Sequence, residues 1–192
     1  MRHSRWPALI LGAAAFGSLL VSEAEASRVR RVGLADMAER AGQIFVGRCA
    51  RRTVTVDAET RLPVTLYTFT VTDPIKGVSK GPVTFRVPGT PDHPFLDGMA
   101  VFEAGEEDLL ILYPESQAGF SSAIGLDQGR FRIEMGREGN RRAANGIGNE
   151  DLIVDVPEGI LQGRSLERRD RGPLDLEDLT AVLRSLMAGH HR

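Results

Sequence analysis

The sequence predicts a mainly β domain: a small five-stranded antiparallel barrel, with a short helix before it and an amphipathic helix after it. Three observations carry this reading. Between residues 43 and 135, five short runs rich in Val, Ile, Thr and aromatic residues are separated by turn-forming Pro, Gly and Asp. Apolar residues recur at helical spacing only outside that stretch, near residues 34–41 and 174–188. Cys49 is the only cysteine, so no intramolecular disulfide can hold the fold, and closing the sheet removes exposed edges without one. A β-sandwich is the alternative arrangement of the same strands.

The first 26 residues read as a secretory signal peptide. Arg2 and Arg5 form a cationic start, residues 7–22 are apolar, and Ala24-Glu25-Ala26 is a small-x-small cleavage site that leaves Ser27 first. Gly12 and Gly17 break an apolar run already short for a membrane span, so no stable insertion is expected after cleavage. A periplasmic or secreted location follows. Cleavage would leave one domain of ordinary size: a barrel over residues 27–135, a flexible linker or weak hairpin over 136–173, and a terminal helix over 174–188.

Leu34, Met37, Ala38 and Ala41 lie at helical spacing and give the short first helix. Residues 43–56 (QIFVGRCARRTVTV) follow as a strand, with Phe45, Gly47 and Cys49 on one face and Gly47 marking a bend or bulge. Cys49 is expected buried. Residues 63–72 (PVTLYTFTVT) carry apolar groups on both faces, which suits a central strand, and Asp73-Pro-Ile-Lys-Gly77 should end it. Residues 82–87 form the third strand, with Val83, Phe85 and Val87 inward.

Residues 88–106 hold Pro88, Pro91 and Pro94 and form the longest irregular stretch of the barrel, a length usually reserved for functional loops. The run 108–113 (DLLILY) reads as a buried strand and residues 129–135 as a fifth, with a short piece at 120–124 between them. Residues 136–173 are rich in Gly, Arg, Asn and Glu, with too few apolar groups to offset their ordering entropy. Pro173 and Asp175 then start the terminal helix, whose stripe is Leu176, Leu179, Val182, Leu183 and Leu186.

The chain has 24 basic and 26 acidic residues and a net charge of −2, which gives no general attraction to nucleic acid or anionic lipid. All basic residues except Lys76 and Lys80 are arginine, a bias of GC-rich bacterial coding.

Ala41 to Gly47 (AGQIFVG), Asp73-Pro-Ile-Lys-Gly77, Pro88-Gly89, Phe102-Glu-Ala-Gly-Glu106 and the LLILY strand together resemble the uncharacterised secreted bacterial proteins with a netrin-module-like OB barrel. The tissue inhibitors of metalloproteinases share that order of elements. The resemblance spans about residues 34–135 and implies an OB-like barrel. It departs from the inhibitors in having neither their zinc-chelating N-terminal cysteine nor their disulfides.

No G-x-S-x-G, H-E-x-x-H, phosphate loop or C-x-x-C occurs, and Ser121-Ser122 has no histidine nearby in sequence, so no catalytic residue, metal site or cofactor is assigned. The long loop supplies the candidate binding residues Asp92, His93, Asp97, Phe102, Glu103 and Glu106. Its carboxylates are of the type Ca²⁺ takes, without the alternation of a calcium loop, and Glu106 is placed to accept backbone hydrogen bonds at the barrel rim. The expected function is a non-catalytic binding or accessory module of the cell envelope, with a protein or glycan partner. Inhibition of an extracytoplasmic protease and metal-assisted hydrolysis are the alternatives.

Overall fold

The computed structural model describes residues 30–168 and 171–189. The expected signal peptide and its cleavage residues Ala24, Ala26 and Ser27 lie outside them. Helix α1 spans Leu34–Arg40, followed by strands β1 (Gln43–Val56), β2 (Pro63–Lys76), β3 (Gly81–Pro88), β4 (Glu107–Leu112), β5 (Arg130–Met135) and β6 (Arg141–Asn145). A helical turn α2 (Glu158–Leu161), a 3₁₀ turn (Ser165–Arg168), the two-residue strand β7 (Leu174–Asp175) and helix α3 (Leu176–Gly189) complete the chain.

The strands form one antiparallel sheet of seven, ordered β3-β2-β1-β4-β5-β6-β7. This corrects the expected count of five, because β6 and β7 extend the sheet beyond β5, and a single sheet also departs from the sandwich alternative. The first four strands each start within one residue of the expected position. Tyr67, Phe69 and Val71 of β2 and Phe85 and Val87 of β3 face Phe45 and Cys49 of β1 and Leu110 and Leu112 of β4. On the other face, Ile44 and Val46 of β1 and Leu109 and Ile111 of β4 meet α1 and α3. Two apolar cores therefore share the β1–β4 pair.

Strand β2 runs four residues past the expected end. Asp73–Lys76 pair with the start of β1, and Pro74 is tolerated because β3 reaches only Val71, so nothing on that side needs its missing N–H. The Gly47 bulge is present as a register shift between Val46 and Gly47. Lys76 reaches the end of α1, where its Nζ donates to the carbonyls of Ala38 (2.9 Å) and Glu39 (3.2 Å). Residues 120–124 link two strands that the sheet order leaves apart: Ser121 N–H donates to Arg86 O of β3 (2.9 Å), and Tyr113 N–H after β4 donates to Ser122 O (3.0 Å).

For residues 136–173 the expectation is a flexible linker or weak hairpin; the segment carries β6, hairpinned to β5, and also places Leu152, Val156, Leu161 and Leu166 in the core beneath α1 and α3. Sparse apolar residues suffice because polar groups there are satisfied internally. The buried Asn149 side chain accepts the N–H of Asn145 (2.9 Å) and donates to the carbonyls of Ala143 and Gly172 (both 2.9 Å). Asp155 accepts the N–H groups of Ala35 (3.1 Å) and Asp36 (2.9 Å), supplying the cap that Gly33 lacks at the start of α1. Helix α3 begins at Leu176, two residues after the expected start because residues 174 and 175 pair as β7; Asp175 Oδ1 accepts from Glu177 N–H (3.0 Å), and the helix buries Leu176, Leu179, Val182, Leu183 and Leu186.

Candidate functional site

The loop between β3 and β4 is built on an anchored base with an exposed tip. Gly89, at φ +91°, lets the chain fold back on itself; a Cβ there would stand 2.5 Å from the backbone nitrogen of Phe95. Thr90 and His93 exchange backbone hydrogen bonds (2.9 and 3.1 Å) to close the first turn. The chain then presents Phe95 and Leu96, 61% and 54% exposed, before Ala100 and Phe102 return to the core between β1, β2, β3 and β4.

Phe102 is a plug. Its ring meets Tyr67 (4.8 Å between centroids), Phe69 (5.3 Å) and Phe85 (5.8 Å), each edge to face. Behind it stands Arg130 of β5, 2% exposed, with its guanidinium 4.9 Å from the Phe102 ring centroid. Arg130 donates to Asp108 Oδ1 (3.0 Å), to Glu106 Oε2 (2.7 Å) and to the carbonyl of Val101. One buried cation thus ties β5, the start of β4 and the loop together. Glu106 Oε2 also accepts the N–H of Glu103 (2.9 Å), the rim role expected from sequence. Arg52 of β1 pairs with Glu103, and Arg48 donates to Gly105 O (2.6 Å).

The electrostatics follow from burial. Asp108 is 0% exposed, and loss of hydration pushes its carboxyl up to about 6 against the pull of Arg130; its Oδ2 has no hydrogen-bond partner among the described residues. Burial likewise raises the Cys49 thiol, with the Asp108 charge adding to it, so the expected burial of Cys49 holds and its thiolate is disfavoured.

The six residues expected to bind divide into two groups. Asp92, His93 and Asp97 are exposed around the tip, whereas Phe102, Glu103 and Glu106 serve the base as plug, strut and clamp. They do not converge on one pocket, and among the described residues no group of three His, Cys, Asp or Glu side chains is placed to hold a metal ion. Ser121 Oγ is engaged by the Tyr113 carbonyl (2.7 Å).

Arg130 and the Phe95–Leu96 pair were not singled out from sequence. An Asp inside the otherwise apolar 108–112 run was the available signal for a buried cation. Further apolar residues stand at the same end of the sheet: Leu62 precedes Pro63, whose carbonyl accepts Gly89 N–H (2.8 Å), and Val54 and Val56 on the same hairpin are exposed. No family model, curated protein or solved structure matches this chain.

Proposed function

We propose that the chain is an exported, non-catalytic binding module of the bacterial cell envelope, built on an OB-like barrel, whose loop 88–106 engages a protein partner. One observation carries the reading: an apolar tip, Phe95 and Leu96, is held in water on a base fixed by Phe102 and the buried Arg130. Solvent exposure of a Phe–Leu pair is unfavourable unless something covers it, and a rigid base limits the entropy lost when it is covered. An apolar surface favours protein over glycan. The barrel description is supported by the links from β3 through residues 120–124 to β4, which join β1, β2, β3, that segment and β4 in a ring as in a five-stranded OB barrel.

The test pairs wild type with Phe95→Ser/Leu96→Ser, changes at exposed positions that leave the base intact. Immobilised wild-type protein is expected to retain an envelope protein that the double variant releases, at unchanged thermal stability. Equal retention by both would place the binding face elsewhere. Turnover of a generic esterase, protease or phosphatase substrate, stopped by Asp92→Asn or His93→Ala, would replace binding by catalysis.

A further inference from the structure

A second site lies on the β5–β6 hairpin, away from the loop tip. Alternation puts Arg130, Arg132 and Glu134 of β5 on one face, and the register sets Ala144 opposite Arg132 and Arg142 opposite Glu134. The small Ala144 side chain leaves room, and the result is a groove of about 500 Å³ that Arg137 borders from the turn. Arg130 is spent on Asp108 and Glu106, whereas Arg132, Arg137 and Arg142 form no ion pair with a protein carboxylate among the described residues. Arg132 and Arg137 are exposed and have neither hydrogen bond nor ion pair among the described residues. Arg142 donates through Nη2 to the carbonyl of Pro173, but its buried Nε has no partner.

Two carboxylates line the same groove, Asp127 and Glu134, and neither pairs with these arginines, although Glu134 is the direct cross-strand neighbour of Arg142. Asp127, beside Gly146, is half-buried, and burial raises its carboxyl by disfavouring the charged form. Elsewhere, Arg31, Arg40, Arg48, Arg52, Arg86, Arg141 and Arg184 all meet an acidic side chain. A concave site with three guanidinium groups that retain unused donors has the chemistry for a planar or tetrahedral oxyanion, which arginine binds through paired N–H donors.

We propose that the β5–β6 groove is an oxyanion-binding site that takes a phosphate or carboxylate group of an anionic ligand on Arg132, Arg137 and Arg142. The site is independent of the loop reading, since none of its residues belongs to the loop. A neighbouring cavity of about 710 Å³ shares Asp127 and Gly146 with the groove and is bordered by Gly98 of the loop.

The test is calorimetric titration of the whole mature protein with two probes, inorganic pyrophosphate for a phosphate source and trigalacturonate for a carboxylate source. Binding of at least one, tighter than about 1 mM and weakened by added salt, is expected. Arg132→Gln/Arg137→Gln removes two cations that make no hydrogen bond or ion pair among the described residues, and should weaken that binding on the order of tenfold or more. Arg51→Gln/Arg61→Gln has the same net charge and should leave it within about twofold. A response to one probe alone identifies the source. Failure of both probes to bind, or equal weakening by the two variants, overturns the proposal, the latter by showing only a diffuse charge effect.

Discussion

At the scale of single residues, the Asp108–Arg130 pair fixes the most. Arg130 holds the loop by two polar contacts and a ring contact and meets Asp108 of β4 with a third polar contact, while itself buried, and its removal would leave Asp108 as an uncompensated charge in an apolar core. Neither partner reads from sequence as a buried pair. An arginine in an alternating strand looks solvent-facing, and only contact between strands distant in the chain reverses that. The pair also sets a pH dependence. The Asp108 carboxyl, ordinarily at 3.8, is pushed up to about 6 in the folded protein, so it binds its proton more tightly folded than unfolded. Its contribution to stability is present below about pH 4 and is lost as pH rises through about 6, a change of at most about 3 kcal/mol. Urea denaturation of wild type and Asp108→Asn across that range should show wild type losing stability relative to the variant as pH rises. A constant difference would mean that Asp108 is ionised throughout.

At the scale of elements, legibility follows local chemistry. Strand β1 is readable to its ends because residues 43–56 are rich in Ile, Val and Thr and are bounded by turns. Strand β6 is not, since Arg141-Arg-Ala-Ala-Asn145 has no β preference of its own and exists as a strand through its hairpin with β5 and two bonds' worth of pairing with β7. The same holds for residues 136–173 as a whole. Their few apolar side chains are spaced to fill the gap under α1 and α3, and their order depends on caps and amide contacts that only the folded chain supplies. Helix α3 was legible as a stripe, and its burial makes it structural. Leu183→Asp, which puts a charge into the core that α3 shares with α1 and β4, should cost on the order of 3 kcal/mol or more and lower the thermal midpoint sharply. An unchanged midpoint would show the stripe to be peripheral.

For the whole molecule, the sequence supported a mainly β protein with a helix at each end, and the long-range pairing that sets strand order was beyond it. Seven strands with two cores, one under the helices and one around Phe69 and Phe102, explain how a chain with a single cysteine holds its fold. Export is the claim on the whole chain that the described residues leave aside. Mass spectrometry of protein recovered from the native host should find Ser27 at the N-terminus, and an intact Met1 in the cytosolic fraction would contradict it.

The proposed recognition element is the tip of the loop 88–106. Photo-crosslinking in the native host tests it most directly, with a benzophenone amino acid placed at Phe95 in one protein and at Val154, 74% exposed on the 136–173 segment, in another. One discrete crosslinked protein partner is expected from position 95 and none from position 154. Crosslinks to the same species from both positions, or from 154 alone, would contradict it.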